Sequence, residues 1–211
     1  MSEALAAIGA ATALEKGWTM WDDENLPGRA CRSCTLCCTL LPVDLYGDEH
    51  KPATTRCRFQ KHDGCGVYAD RPRPCRVWSC RWLFDPLTKS MRRPDHAGYV
   101  IDAMLDTVAM NGHPVNAVQV WCDPARPEAW RDPQLRAYLD EVVKRFEIVV
   151  LVRFGSSRAI CLLPPGLTGE PDWVEQGGDT LAADKMLELL AEAGLTPKTP
   201  DELAANYRVV K

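Results

Sequence analysis

The sequence has no apolar run long enough to cross a bilayer; its longest apolar stretches stop after a handful of residues. Its opening, MSEALAAIGAATALEKGW, carries Glu3 where a secretory leader has a basic cluster, and its apolar part is rich in alanine rather than leucine. We therefore expect no membrane span and a cytoplasmic location, where clustered thiols bind metal more often than they pair as disulfides. Catalytic signatures are missing too. There is no Ser/His/Asp set, no HExxH and no phosphate loop, and no carboxylate stands at a spacing that singles it out. Enzyme status is left open by these absences. Histidine is scarce, at four residues, and His50, His96 and His113 have no ligand-like spacing. No internal repeat and no low-complexity tract is present.

What the chain does have is cysteine. Eight of its ten cysteines fall between Cys31 and Cys80: Cys31, Cys34, Cys37 and Cys38 in CRSCTLCC, then Cys57, Cys65, Cys75 and Cys80. Packing alone does not require that density. The same stretch is broken by Pro42, Pro52, Pro72, Pro74 and Pro86, each of which disfavours helix in the residue before it. No helical or strand period persists from Arg29 to about Pro94, so this segment has little apolar core of its own and bound metal is expected to help fold it.

Charge is segregated along the chain. Residues 51–93 carry 11 basic against 3 acidic groups, whereas residues 1–50 carry 3 against 8 and residues 94–211 carry 11 against 18. The basic residues, among them Arg56, Arg58, Lys61, Arg71, Arg73, Arg76, Arg81, Arg92 and Arg93, are interleaved with the cysteines. We read them as counter-charges to metal-bound thiolates in preference to a nucleic-acid surface, because the whole chain is acidic and no helix carries a basic stripe.

Outside this stretch the patterns are regular. Residues 3–16 read as an Ala-rich helix, and Trp18 and Trp21 as anchors laid over the cysteine segment. Ala97 to Met110 reads as a strand running into a turn at Asn111-Gly112, and Val115 to Cys122 as a strand with Val118, Val120 and Cys122 on one face. Asp132-Pro133 opens a helix whose Leu135, Leu139, Val142, Val143 and Phe146 share a face. Ile148 to Phe154 reads as a buried strand, hairpinned to Arg158 to Leu163. Leu181 to Ala193 reads as an amphipathic helix, with a further short one from Pro200. The fold class expected is α+β: a loop-dominated, cysteine-rich metal-binding module on a small mixed α/β scaffold. The divisions expected are residues 1–28 (helix and linker), 29–94 (module) and 95–211 (scaffold).

Thiolate is the preferred ligand of zinc and of iron–sulfur clusters. The run Cys31-x2-Cys34-x2-Cys37 is the spacing with which bacterial-type ferredoxins hold three corners of a cubane, a remote cysteine taking the fourth. Zinc sites more often join two close couples, and the separations Cys57-x7-Cys65 and Cys75-x4-Cys80 do not supply the second. Cys38 directly follows Cys37, and adjacent side chains diverge; it serves a second centre or is a nearby thiol outside the ligand set. His62 stands between Cys57 and Cys65, where it could replace a sulfur, although a loop histidine is more often solvated. Cys122 and Cys161 sit in apolar strand patterns and are expected to be free core thiols.

At these residues the chain resembles the YkgJ-type cysteine-cluster family of zinc- or iron-chelating domains, whose signature is CxxCxxCC followed by later cysteines and an Arg-Pro motif. Cys31, Cys34, Cys37 and Cys38 match the first part; Cys57, Cys65 and the run Gly66-Val67-Tyr68-Ala69-Asp70-Arg71-Pro72-Arg73-Pro74-Cys75-Arg76 match the rest. The resemblance covers residues 29–82 and implies metal chelation by the eight cysteines, with Cys80 as the eighth ligand and Cys122 as its runner-up.

Three functions remain in view. The first is an iron–sulfur protein, of the 4Fe–4S type, with an electron-transfer or accessory redox role: Cys31, Cys34 and Cys37 with Cys75 or Cys80 hold the cluster, nearby arginines raise its potential, and Trp78 and Trp82 shield it. The second is a zinc-stabilised interaction module that binds a protein partner. The third is a protein-modifying enzyme such as a methyl transferase, for which no glycine-rich adenosylmethionine loop is present.

Overall fold

The computed structural model describes residue 18 and residues 25–47, 49–110, 113–155 and 158–179. The helices expected at 3–16, at Leu181 to Ala193 and from Pro200 lie outside these residues, as does Trp21.

The cysteine segment folds into short pieces. Helix α1 (Leu36–Leu40) leads into a two-stranded hairpin of β1 (Val43–Asp44) and β2 (His50–Lys51), then a second of β3 (Gln60–Lys61) and β4 (Gly64–Cys65). Three one-turn helices follow: α2 (Arg73–Val77), α3 (Arg81–Phe84) and α4 (Pro94–Ala97). Several of the prolines that erase any periodicity here sit where helices begin. Pro74 lies in the first turn of α2 and Pro94 opens α4, positions whose amides have no partner within the helix.

The scaffold is a five-stranded sheet in chain order, β5 (Tyr99–Met110), β6 (His113–Cys122), β7 (Val149–Arg153), β8 (Arg158–Leu163) and β9 (Val174–Asp179). All neighbours are antiparallel except β6 and β7, which are parallel and joined by α5 (Pro133–Phe146). A parallel pair needs such a crossover, because a tight turn reverses the chain. Asp132 caps α5 by accepting from the Gln134 amide at 2.8 Å, Pro133 takes the first position, and Lys144 and Arg145 lie in the last turn. The expected face, Leu135, Leu139, Val142, Val143 and Phe146, is buried, and Tyr138 joins it. The mixed helix-and-sheet architecture is the α+β class.

Alternation along the strands assigns two faces. Ile101, Val118, Val120, Cys122, Val150, Val152 and Leu162 pack with α5 and with Trp18. On the other face, Val100, Ala103 and Trp121 form one core with Leu40, Leu41, Ala53, Cys80, Leu83 and Phe84 of the cysteine segment. The segment thus borrows its apolar interior from the sheet. Trp18 lies on the helix side, edge-on to Phe146 at 5.0 Å, and meets the segment through the Arg81 guanidinium, 3.8 Å from its ring centroid. Among the described residues no helix is long and apolar enough to cross a membrane.

The register of β5 on β6 shifts between Ile101 and Leu105, a bulge that takes backbone groups out of the ladder. Side chains satisfy them. Trp18 Nε1 donates to Ala103 O at 3.0 Å, the Met104 amide donates to Asp102 Oδ1 at 2.9 Å, and Gln119 Nε2 reaches Met104 O at 3.4 Å.

Candidate metal centre

All eight clustered cysteines line one cavity of about 870 Å³ between the cysteine segment and the bulged end of the sheet. They arrive from separate local structures. Cys31 and Cys34 lie on a loop closed by the Cys34 amide on Cys31 O at 2.7 Å, and Cys37 and Cys38 on α1. Cys57 precedes the second hairpin, with its own amide on Cys38 O at 3.2 Å, and Cys65 ends that hairpin. Cys75 is on α2, and Cys80 immediately precedes α3. All ten cysteines of the chain are free thiols.

Cys122 is on the other side of the sheet. It is buried against α5 and the core there, so it does not line the cavity; Cys80 does. Cys161 is half-buried against a third apolar cluster, also away from the cavity. His62 is exposed and stands outside the cavity lining.

The sulfurs surround the cavity without meeting at one point. Among the described residues no three His, Cys, Asp or Glu side chains converge closely enough to hold a single metal ion. One zinc ion needs four sulfurs each about 2.3 Å away. A cubane places each thiolate on a different iron and so spreads its ligands farther apart. The donor set is soft and all-thiol, which suits either group.

Within the lining, Cys31, Cys34, Cys37 and Cys80 also enclose a small void of about 20 Å³ walled by Trp82, Leu83, Pro94 and Val100. Burial pushes the Cys31 and Cys34 thiols up, and pushes Cys80 well above the ordinary range. Cys37 is raised by giving its thiol hydrogen to Cys38 and by burial; the same bond lowers Cys38, with Lys51 also favouring its thiolate. Burial raises Cys75 to about 11, and the thiols that act on it most are Cys38, Cys57 and Cys65.

No protein-family model, curated protein or solved structure matches this chain. The chemistry of the site therefore rests on its own residues.

The counter-charges are fewer than the sequence implies. Arg71 lies within electrostatic reach of Cys31, Cys38 and Cys75, with its guanidinium 3.9 Å from the Tyr68 ring centroid. Other arginines are committed elsewhere: Arg58 to Glu49, Arg81 to Asp85, Arg92 to Asp132 and Arg93 to Asp95. Arg32, Arg73 and Arg76 line the cavity and are exposed to solvent. Of the two expected shields, Trp82 walls the small void, donating to Met91 O at 3.0 Å, and Trp78 lines the large cavity.

Three features were not singled out in the sequence. Lys51 is 5% exposed, and its ammonium donates to Thr39 O, Pro52 O and Thr55 O at 3.3, 3.0 and 2.9 Å while facing Cys57, Cys38, Cys37 and Cys75. Asp102 accepts from Trp78 Nε1 at 2.6 Å and Trp121 Nε1 at 3.2 Å, and burial raises its pKa. Arg153 reaches Gln119 Oε1 at 2.6 Å and pairs with Asp106, forming the sheet wall of the cavity. A lone carboxylate inside the apolar run YVIDAML was the one signal for Asp102; nothing local marks Lys51.

Proposed function

We propose that the chain is an iron–sulfur protein of the YkgJ-type cysteine-cluster family, with an electron-transfer or accessory redox role. One observation carries this reading: eight cysteines from separate local structures, the CxxCxxC run among them, line one cavity. Cys31, Cys34, Cys37 and Cys80 are the ligands proposed for a 4Fe–4S cluster, uniting the CxxCxxC run with a remote fourth sulfur. Such a cluster, when bound, supplies a one-electron couple.

The residues around these sulfurs do the rest. Trp82, Leu83, Pro94 and Val100 keep water from the quartet, and a drier site sharpens the effect of each nearby charge. Arg71 and Lys51 favour the charged form of the thiolates they face, and so favour ligation. Arg32, Arg73 and Arg76 present positive charge at the solvent side, where a protein redox partner would approach.

The test is purification without oxygen, followed by the visible spectrum and by iron, zinc and acid-labile sulfide per chain. Brown protein with matching iron and sulfide is expected, bleached by Cys37→Ser. Colourless protein holding only zinc would replace this reading with a zinc-stabilised interaction module.

A further inference from the structure

We infer that the cavity also binds a small organic anion, held by Arg71 with Arg32, Arg73 and Arg76 at its solvent side, while the apolar body of the ligand enters between the cysteine segment and the sheet. This goes beyond the redox reading and does not depend on which metal the thiols take.

Charge in the cavity lining is one-sided. The cations are Arg32, Lys51, Arg71, Arg73, Arg76 and Arg153; the carboxylates are Asp102 and Asp106 alone. Several of these groups are already committed. Arg153 binds Gln119 and Asp106, Asp102 takes the Trp78 and Trp121 indoles, and Lys51 is held by three carbonyls. The remaining four arginines are not. Among the described residues, Arg32, Arg71, Arg73 and Arg76 have no carboxylate partner, whereas Arg58, Arg81, Arg92, Arg93 and Arg131 each have one. All four come from the cysteine segment, and Arg32, Arg73 and Arg76 are exposed where the cavity meets solvent. Uncompensated positive charge around a concave site attracts anions.

The hydrogen bonding of Arg71 is the second, independent observation. Its guanidinium lies 3.9 Å from the Tyr68 ring centroid, a contact that uses none of its N–H donors. Its Nε is buried and meets no hydrogen-bond acceptor among the described residues, although Cys31, Cys38 and Cys75 lie within its electrostatic reach. A buried donor without an acceptor is costly, and an oxyanion supplies the acceptor. Guanidinium groups bind carboxylate and phosphate alike, through paired N–H donors. The rest of the lining suits the body of such a ligand. Leu41, Val43, Leu45, Phe59, Trp78 and Trp121 add apolar surface, and the volume of about 870 Å³ lies within the range of about 300–1,000 Å³ that holds small molecules. The ligand class is therefore a carboxylate or phosphate on an apolar body.

Calorimetric titration of the full chain, purified without oxygen, tests this with naphthoate, naphthyl phosphate, uncharged naphthamide and inorganic phosphate. A naphthyl anion should bind once per chain and at least about tenfold more tightly than naphthamide, the worth of a charge-assisted hydrogen bond. Whichever anion binds more tightly names the oxyanion. Arg71→Met should lose at least about tenfold in affinity, and the exposed double variant R73M/R76M about threefold. Arg131→Met, whose arginine pairs with Glu128 on the scaffold, should bind as the native protein does. Circular dichroism and metal content of each variant show whether it has folded and loaded; if Arg71→Met does not fold, R73M/R76M decides. Equal affinity for naphthoate and naphthamide, native affinity in the folded variants, or no binding of either anion would each overturn the site. Inorganic phosphate binding as tightly as naphthyl phosphate would mean an adventitious ion only, and overturns it too. Displacement of the naphthyl anion by tighter-binding polyglutamate or oligothymidylate would give the arginines to a macromolecule instead. Iron content of the native protein judges the redox reading separately, and none of these binding outcomes depends on it.

Discussion

Tyr138 on the scaffold helix and Asp85 after α3 are joined by a buried hydrogen bond, the phenol donating to Asp85 Oδ2 at 3.0 Å. The same phenol oxygen accepts from Arg81 Nε at 2.8 Å, and Arg81 pairs with Asp85 at 2.5 Å. Both side chains of that ion pair are 5% exposed. Through these contacts α5 reaches past the sheet to the turn that carries Cys80, one residue before Arg81. Tyr138→Phe should cost about 1–2 kcal/mol, the loss of one network hydroxyl. Asp85→Ala should cost about 3–5 kcal/mol, because it removes the carboxylate paired with the buried Arg81 charge. Urea unfolding of both variants checks the order; equal losses would mean that the ion pair is not the buried element that matters.

Cys80 and Cys122 provide a paired test of the ligand set. Cys122→Ala should leave the iron content unchanged, since Cys122 is packed against α5 on the far face of the sheet. Cys80→Ser should lower it, because Cys80 lines the cavity. The measurement is iron per chain in the two proteins purified side by side.

Gly64 holds the second hairpin against the cysteine loop. Its φ is +136°, and a Cβ placed there would lie 2.8 Å from Arg32 O, a backbone atom that cannot swing aside. Gly64→Ala should destabilise the protein by more than about 1 kcal/mol and reduce metal loading without removing a sulfur. Full loading in a stably folded Gly64→Ala protein would show that the hairpin and loop need not meet.

Lys51→Met takes the ammonium donor from three part-buried carbonyls, and should cost about 1–3 kcal/mol. It also removes the charge facing Cys38 and Cys57, so metal uptake at neutral pH should slow. Uptake followed by absorbance, against unfolding by urea, separates the two effects.

Asp132 links pH to stability. Burial alone would raise its pKa, but the hydrogen bonds from Arg92 and from the Gln134 amide outweigh burial and hold it below the ordinary carboxylate range. A lowered carboxylate contributes stability above its unfolded value of about 3.9 and loses it as the pH falls through the folded value. Asp132→Ala, which also removes the α5 cap, should lose about 1 kcal/mol for the cap. Asp132→Asn keeps a capping oxygen and gives up the charge, so its deficit against the native protein should be present at pH 7 and shrink below about pH 3. Unfolding midpoints at the two pH values decide this.

Much of the scaffold is legible in the sequence because its signals are local. A two-residue alternation places Val118, Val120 and Cys122 on one face, and a helical period places Leu135, Leu139, Val142, Val143 and Phe146 on another; burial follows both. Cys122 as a core thiol follows from the same pattern. The segment from Arg29 to Pro94 gives no such reading, since its one-turn helices and two-residue strands are too short for any period to build up. Trp18, read as an anchor over the cysteine segment, packs on the α5 side instead, because its partners, Phe146 and Ala103 O, are far away in the chain.

By itself, then, the sequence determined that eight thiols crowd into one stretch without the apolar residues to bury it, and that an α+β scaffold follows. Residue identity and local spacing are enough for both. Only the tertiary structure decided which thiols face one cavity, that Cys80 and not Cys122 is among them, and that Lys51, Asp102 and Arg153 line the same space. Those are relations between residues distant in the chain, set by the bulge in β5, by the core shared between the cysteine segment and the sheet, and by the Arg81–Asp85–Tyr138 network. No local pattern encodes them, because each depends on which surfaces exclude water together once the whole chain has packed.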